Sequence, residues 1–248
     1  LTAATVGPLT MPSSARAGAD QGNALSVAVI MDGNGRWAKA HGLSVADGHR
    51  EGTRALRRTV EAAVDLGVRS LVVYGFSTEN WARPADEVAT LMEILDETIE
   101  RELPDLALQG VRTRFIGRRD RVSEILRAKM ATLEAETAHR DTLLLWIAFD
   151  YGGRAEIVEA ARRIVSDGLA AADVDEAAVA ARLYAPLLPE LDLLIRTSGE
   201  LRLSNFMLWE AAYAELVFTE TLWPDFGADD LRGALAEYAS RQRRFGAR

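Results

Sequence analysis

The chain has 248 residues, 48% of them hydrophobic and 27% charged, a globular composition that excludes disorder and low complexity. There are 29 Lys and Arg against 37 Asp and Glu, a formal charge of −8; this argues against a globally basic nucleic-acid binder while leaving room for a local basic pocket. Cys is absent and His occurs only at His41, His49 and His139, so disulfides, thiolate metal sites and cysteine nucleophiles are excluded, and a three-His zinc site would take every histidine.

Residues 1–24 are rich in Ala, Gly, Ser, Thr and Pro and lack the apolar centre of a secretory signal, so a mobile leader is expected there. Residues 25–248 read as one domain. Ser26–Met31 (SVAVIM) predicts a buried strand running into a tight turn at Asp32-Gly33-Asn34-Gly35. Leu56, Val60, Ala63 and Val64 recur at helical spacing and predict a helix over Glu51–Leu66, stopped by Gly67. Ser70–Tyr74 predicts a second strand, and Asp86–Leu103 a second helix with Val88, Leu91, Met92, Leu95 and Ile99 on one face. Val111–Ile116 predicts a third strand and Arg121–Ala138 a third helix. Thr142–Ala148 predicts a fourth strand, ended by Tyr151-Gly152-Gly153. Helices at Glu156–Val165 and Glu176–Tyr184 precede strands at Leu191–Ile195 and Glu215–Phe218 and a closing helix at Asp229–Arg243.

Alternating strands and helices predict an α/β fold: an open, mostly parallel six-stranded sheet with helices on both faces. No stretch approaches the roughly 20 apolar residues that span a bilayer, so a cytoplasmic location is expected. Ligands of such sheets bind beyond the carboxyl ends of the strands. The segments expected there are Asp32–Trp37, Gly75–Trp81, Asp150–Arg154 and Arg196–Gly199, all polar, glycine-bearing or cationic.

Asp32 closes the first strand and precedes two glycines that bracket Asn34. Such a turn, opening into a helix, presents backbone N–H groups to an anion. A carboxylate beside that cradle calls for a bridging cation, and Mg²⁺ between a carboxylate and a diphosphate meets the need; a plain Asp-Gly turn is the alternative. The calcium-loop pattern fails at Arg36, and no Walker A motif occurs. Arg36, His49, Arg83, Arg196 and Arg202 fall at or just after strand ends, where guanidinium forks match phosphate oxygens. Ser204 follows Arg202 on the same side of an extended segment. Trp37, Phe76, Trp81 and Trp209 are placed at the same rim, a combination suited to an amphiphile with a charged head. Ser77 and Asn80 could hold a hydrogen-bond network against Asp32, and Glu215 is either a second metal carboxylate or a salt-bridge residue.

Together these residues carry a resemblance. The chain resembles a cis-prenyltransferase of the undecaprenyl diphosphate synthase family from about Val27 to Gly246. The matching motifs are MDGNGRWAK at Met31–Lys39, GHREG at Gly48–Gly52, YGFSTENWARP at Tyr74–Pro84, DYGGR at Asp150–Arg154 and the long block Asp192–Leu216. The resemblance implies condensation of isopentenyl diphosphate with an allylic diphosphate, each new double bond being cis. Asp32 would hold Mg²⁺ and help the allylic diphosphate leave, with Glu215 supporting the metal. Gly33, Asn34, Gly35, Arg36 and His49 would cradle that diphosphate, with Arg83 nearby. Arg196, Arg202 and Ser204 would bind the second diphosphate, beside Leu203. Ser77, Thr78, Glu79, Asn80 and Trp81 would orient the olefin, Asn80 also standing in the proton-removal network. Trp37 and Phe76 would line the apolar side. The resemblance further implies a homodimer, Arg244 and Gly246 matching a C-terminal arm motif. It implies a hydrophobic tunnel walled by the helix Asp86–Leu103 and the strand Thr142–Ala148, and at most peripheral membrane contact through the lipid product. The sequence departs from the family's usual pattern at Val45 (Arg), Leu201 (His) and Asp150 (Asn). Trp146 is bulky for a tunnel strand, and Gly75 is small.

Overall fold

In a computed structural model, which describes residues 25–241, the run Ser26–Ile30 forms strand β1 and is buried at every position. Burial on both faces is what a continuous apolar run requires. The expected leader and the arm motif at Arg244 and Gly246 lie outside the described residues. After β1 come α1 (Asn34–Ala40), α2 (Val45–Asp65), β2 (Ser70–Ser77), a 3₁₀ turn at Thr78–Ala82, α3 (Ala85–Leu108) and β3 (Val111–Ile116). Then follow α4 (Glu124–Glu136), β4 (Leu143–Tyr151), α5 (Gly153–Ser166), α6 (Glu176–Ala180), β5 (Leu193–Arg196), β6 (Glu215–Phe218) and α7 (Ala228–Ser240).

The sheet order is β3-β4-β2-β1-β5-β6, and every neighbouring pair is parallel. The expected six-stranded α/β sheet is therefore wholly parallel. The chain builds outward from β1 through β2 and returns to β5 on the other flank. That reversal makes a switch point beyond the carboxyl end of β1.

Strand alternation sends Val29, Val73, Ile147 and Ile195 to one face, against Leu56 and Val60 of α2, Leu103 of α3, Met130 of α4 and Leu231 of α7. Ala28, Val72, Trp146 and Leu194 face the other way, against Leu191, Phe206 and Met207. Helix α5 ties into this second layer through Glu156, whose carboxylate accepts the Tyr151 hydroxyl and the Tyr184 N–H. Each fully buried aliphatic or aromatic side chain contributes about 1.5–3 kcal/mol.

Several boundaries differ from the sequence reading, each for a visible reason. A capping box between Ser44 and Asp47 starts α2 at Val45, ahead of Glu51. Helix α3 continues through Pro104, which costs a backbone hydrogen bond; the buried Leu103 and Leu106 on either side offset that cost. Helix α6 stops at Ala180 rather than Tyr184, because the Tyr184 N–H bonds Glu156 instead of a helical carbonyl. Strand β2 runs past Tyr74 to Ser77, and its register with β4 shifts between Tyr74 and Phe76. This bulge at Gly75 lets Val73 and Phe76 both join the α2 face while Tyr74 faces the opposite layer.

Candidate active site

Asp32 stands at the switch point, and its backbone is fixed from across the sheet. The Asp32 N–H donates to Thr197 Oγ1 at 2.9 Å, and that hydroxyl donates to the Asp32 carbonyl at 2.6 Å. Its Oδ2 accepts Arg196 Nη2 at 2.8 Å and lies 3.4 Å from Arg36 Nη2. Burial alone would raise this carboxyl's pKa. The bond and charge of Arg196, with Ser198 and Arg36, outweigh it and hold Asp32 below the usual carboxylate range.

Arg196 ends β5, and its side chain is only 4% exposed. Its Nη1 donates to the Arg202 carbonyl at 2.6 Å and to Ser204 Oγ at 2.7 Å. Its Nε is buried with no partner among the described residues. Arg36 donates to the Ser198 carbonyl at 2.9 Å and to the Ser198 hydroxyl. The other cations of the mouth are also held by acids: Arg202 by Glu200 at 2.5 Å and Arg83 by Glu87 at 2.7 Å.

The turn after β1 depends on glycine. Gly33 has φ 115°, a conformation that L side chains rarely adopt, and α1 starts at the next residue. A Cβ on Gly48 would fall 2.4 Å from the Asn34 carbonyl, and one on Gly52 would fall 2.4 Å from Asn34 Oδ1. The glycines of the GHREG motif thus form the groove of α2 into which α1 docks. A Cβ on Gly35 would meet nothing within 4 Å, so the first turn of α1 is open to a ligand.

A mouth of about 710 Å³ is bounded by Asp32, Gly33, Asn34, Gly35, Arg36, His49 and Val45 on one side. Ser77, Glu79, Asn80, Arg83, Arg196, Arg202 and Ser204 bound the other. Met31, Asn34, His49, Gly75 and Leu91 are shared with a second, inner cavity of about 100 Å³. Phe76, Leu56, Ile94, Leu95, Ile147 and Phe149 wall that cavity, between α2, α3 and the sheet. His49 sits at the junction. Burial first, and the Arg83 charge second, lower its pKa to about 4, so its ring is neutral at pH 7.

Some expected site residues lie elsewhere. Trp37 turns outward, stacking on His41 at 4.0 Å and donating to Asp225 at 2.7 Å. Leu203 packs into the second layer, and Trp209 borders a separate groove beside α6. Trp146 points away from the inner cavity because it alternates with Leu145 and Ile147. Thr78 bonds Glu79, and the Trp81 indole bonds Asp150, both outside the wall of the mouth. Glu215 opens β6 opposite Leu193, while Asp32 lies beyond Ile30, which pairs with Arg196. Five residues of strand rise separate the two carboxylates, roughly 16 Å. Glu215 is paired with Arg241 at 2.8 Å and does not join Asp32 within this chain.

Ser77 and Asn80 bond each other rather than Asp32. The Ser77 N–H donates to Asn80 Oδ1 at 3.0 Å, and the Asn80 N–H donates to Ser77 Oγ at 3.2 Å. Since a backbone N–H can only donate, Oδ1 is identified and the amide NH₂ is left for the mouth. Asn80 therefore presents amide donors at the mouth. Thr197 and Ser198 belong to the strand-end segment Arg196–Gly199 expected at this edge, without a role assigned to either; the structure shows them fixing Asp32 and Arg36.

Among the described residues, no group of three or more His, Cys, Asp or Glu side chains is placed to hold a metal. Asp32 offers a hard carboxylate oxygen at the mouth, beside the first turn of α1. That fits Mg²⁺, which takes one or two carboxylates and completes its shell with phosphate oxygens and water.

The family model described as "Putative undecaprenyl diphosphate synthase" matches residues 30–246. The chain belongs to the undecaprenyl diphosphate synthase family. It is 47% identical over 248 residues to an isoprenyl transferase of Caulobacter vibrioides, covering 98% of this chain and 95% of that one. It is 47% identical over 224 residues to the ditrans,polycis-undecaprenyl-diphosphate synthase ((2E,6E)-farnesyl-diphosphate specific) of Xanthomonas axonopodis pv. citri, covering 89% and 87%. Lavandulyl diphosphate synthase from Lavandula x intermedia, solved with dimethylallyl diphosphate, superposes with a TM-score of 0.86 at 36% identity, covering 89% of this chain and 97% of that one. This member of the undecaprenyl diphosphate synthase family is thus an enzyme, a prenyltransferase. No helix among its described residues is long and apolar enough to cross a membrane.

Proposed function

We propose that residues 25–248 form the catalytic domain of a Mg²⁺-dependent cis-prenyltransferase. It condenses isopentenyl diphosphate with an allylic diphosphate, gives a (Z)-polyprenyl diphosphate and releases diphosphate. The observation that carries this reading is the shared wall at Met31, Asn34, His49, Gly75 and Leu91, which joins a cationic mouth to an apolar cavity. Such a site takes a molecule with a charged head and a hydrocarbon tail. The polycis product in the name of the Xanthomonas relative, and the allylic ligand of the lavender structure, support the substrate class.

Asp32 would hold the metal, which when bound neutralises charge developing on the leaving diphosphate. Arg36 and the open first turn of α1 bind that diphosphate, and His49 contributes a neutral N–H donor. Arg196, Arg202 and Ser204 bind the diphosphate of isopentenyl diphosphate. Placing both heads in one mouth brings the allylic carbon against the second substrate's double bond, an advantage of proximity. Asn80 and Ser77 orient that olefin. The inner cavity excludes water from the carbocation-like carbon. The same reading makes the enzyme a cytoplasmic homodimer that touches membranes only through its product.

Incubation with radiolabelled isopentenyl diphosphate, a panel of allylic primers and Mg²⁺ tests the proposal, with EDTA as control. Labelled polyprenyl diphosphates that disappear with EDTA are expected. Release of diphosphate without chain extension would mark a hydrolase, and substrate binding without turnover would mark a silent lipid-diphosphate binder.

A further inference from the structure

The Trp81 indole lies outside the wall of the mouth, yet it is held on its edge, face and flank. Its N–H donates to Asp150 Oδ1 at 2.8 Å. The Arg121 guanidinium covers its ring at 4.9 Å from the centroid. Phe76 meets it edge-on at 5.1 Å and 75°. Asp150, near the end of β4, is fully buried and has φ 48°, a left-handed conformation that Asp tolerates better than most residues. Its carboxylate accepts Arg121 Nε at 3.0 Å and Arg121 Nη2 as well.

The loop that supplies Arg121 is itself clamped to β4. Gly117 has φ 119°, and a Cβ there would fall 2.1 Å from the Phe149 carbonyl. The Arg118 N–H donates to the Asp150 carbonyl at 3.1 Å. The β3–α4 loop is therefore wrapped over the strand end that carries Asp150. Trp81 occupies the same 3₁₀ turn as Asn80, and its flank packs on Phe76, a wall of the inner cavity.

We propose that Asp150, with Arg121, is a positioning residue for condensation: it locks the Trp81 indole, and through it the turn bearing Asn80 and the Phe76 wall, where mouth and cavity meet. This rests on the function proposed above. Asp150 touches no substrate. Its carboxylate sets the indole's angle, and a displacement of about 1 Å at a reacting geometry can cost on the order of 100-fold in rate. A purely stabilising ion pair would instead lower the melting temperature and leave turnover per folded site unchanged.

The test compares the full-length enzyme with Asp150→Ala, Trp81→Phe and the double variant. Initial rates with isopentenyl diphosphate and an allylic diphosphate are normalised to folded protein. Asp150→Ala removes the acceptor of the Trp81 indole and the charge that fixes Arg121. Trp81→Phe keeps an aromatic ring and leaves the Asp150–Arg121 pair intact, so it reports even where Asp150→Ala fails to fold. Each single variant should lower kcat about tenfold and leave both KM values within about twofold. The double variant should lose no more than the worse single one, since both act through one indole. In 6-fluorotryptophan-labelled protein, the ¹⁹F resonance assigned by its absence in Trp81→Phe should move in Asp150→Ala. Unchanged kcat in Trp81→Phe, losses that multiply in the double variant, or a rise confined to KM would each overturn the proposal. If the unmodified enzyme does not condense the two substrates, the functional reading fails first and the positioning role with it, whatever the fluorine spectrum shows.

Discussion

Arg196 Nη2 and Asp32 Oδ2 meet at 2.8 Å across the switch point, joining the last residue of β5 to the turn after β1. Arg196 is almost wholly buried, so the pair is poorly screened, and each side chain holds the other's orientation. Because Asp32 is held below the usual carboxylate range, its contribution to stability is present above that range. It is lost as pH falls through the lowered value.

Asp32→Ala should abolish condensation, by about 10³-fold or more in kcat/KM, while far-UV circular dichroism stays native. The melting temperature should drop, because Arg196 loses its partner. Asp32→Asn should lose the same activity at a smaller cost in stability. Retained turnover in either variant would remove Asp32 from the mechanism.

Val45 begins α2, is 48% exposed and borders the mouth. An arginine there would add a cation facing the allylic diphosphate. Val45→Arg should lower KM for allylic primers several-fold and leave kcat within about twofold. Unchanged KM for every primer would show that this position does not reach the diphosphate.

Phe149 walls the inner cavity and stacks on Phe76 at 5.2 Å. Phe149→Ala should deepen the cavity and shift the product distribution to longer chains, seen by chromatography of dephosphorylated products. Stability should fall by about 3–5 kcal/mol. Products of unchanged length would place the growing tail elsewhere.

His49 stays neutral until pH nears 4, whereas an unburied histidine accepts its proton near 6.5. Unfolded chains therefore bind a proton that the native state refuses. His49's stabilising effect is complete above about pH 6.5 and declines as pH falls toward 4. Imidazole proton shifts should show this low midpoint in the free enzyme and a higher one with inorganic diphosphate. A free-enzyme midpoint near 6.5 would contradict the buried junction.

Both carboxylate oxygens of Glu210 are buried without a hydrogen-bond partner among the described residues. Burial, then the charge of Glu156, pushes this acid up to about 8. The native state thus holds a proton that the unfolded chain releases near the ordinary glutamate value, and stability falls as pH rises between the two. Glu210→Gln should raise the melting temperature by a few degrees at pH 8.5 and leave it unchanged at pH 4. Equal effects at both values would refute the assignment.

Much of this was legible in the sequence. Runs such as SVAVI and LLLWIAF are short, β-branched or aromatic in part, and apolar at consecutive positions, as strands covered on both faces require. As parallel strands, by the strand-end rule, they put Asp32 and Arg196 at one edge of the sheet. The same rule, applied to Glu215, would have sent it to the opposite edge, because Glu215 opens its strand rather than closing it. Side-chain direction was the weaker guide. Period two assigns Trp146 to the far face from Ile147, but the bulge at Gly75 breaks that period in β2 and hides how Phe76 reaches the cavity. Trp37 faces outward because Asp225, far along the chain, accepts its indole, a contact no local pattern encodes. The start of α2 is encoded in Ser44-x-x-Asp47, a capping box with Asp in place of the more usual Glu or Gln.

The most direct measurement is a crystal structure of the enzyme soaked with Mg²⁺ and a thio-substituted allylic diphosphate that cannot ionise. The account predicts the ion on Asp32, the diphosphate against Arg36 and the first turn of α1, and the hydrocarbon tail passing His49 and Gly75 into the cavity lined by Phe76, Ile94 and Phe149. A diphosphate bound away from Asp32, or a tail lying outside that cavity in solvent, would contradict it.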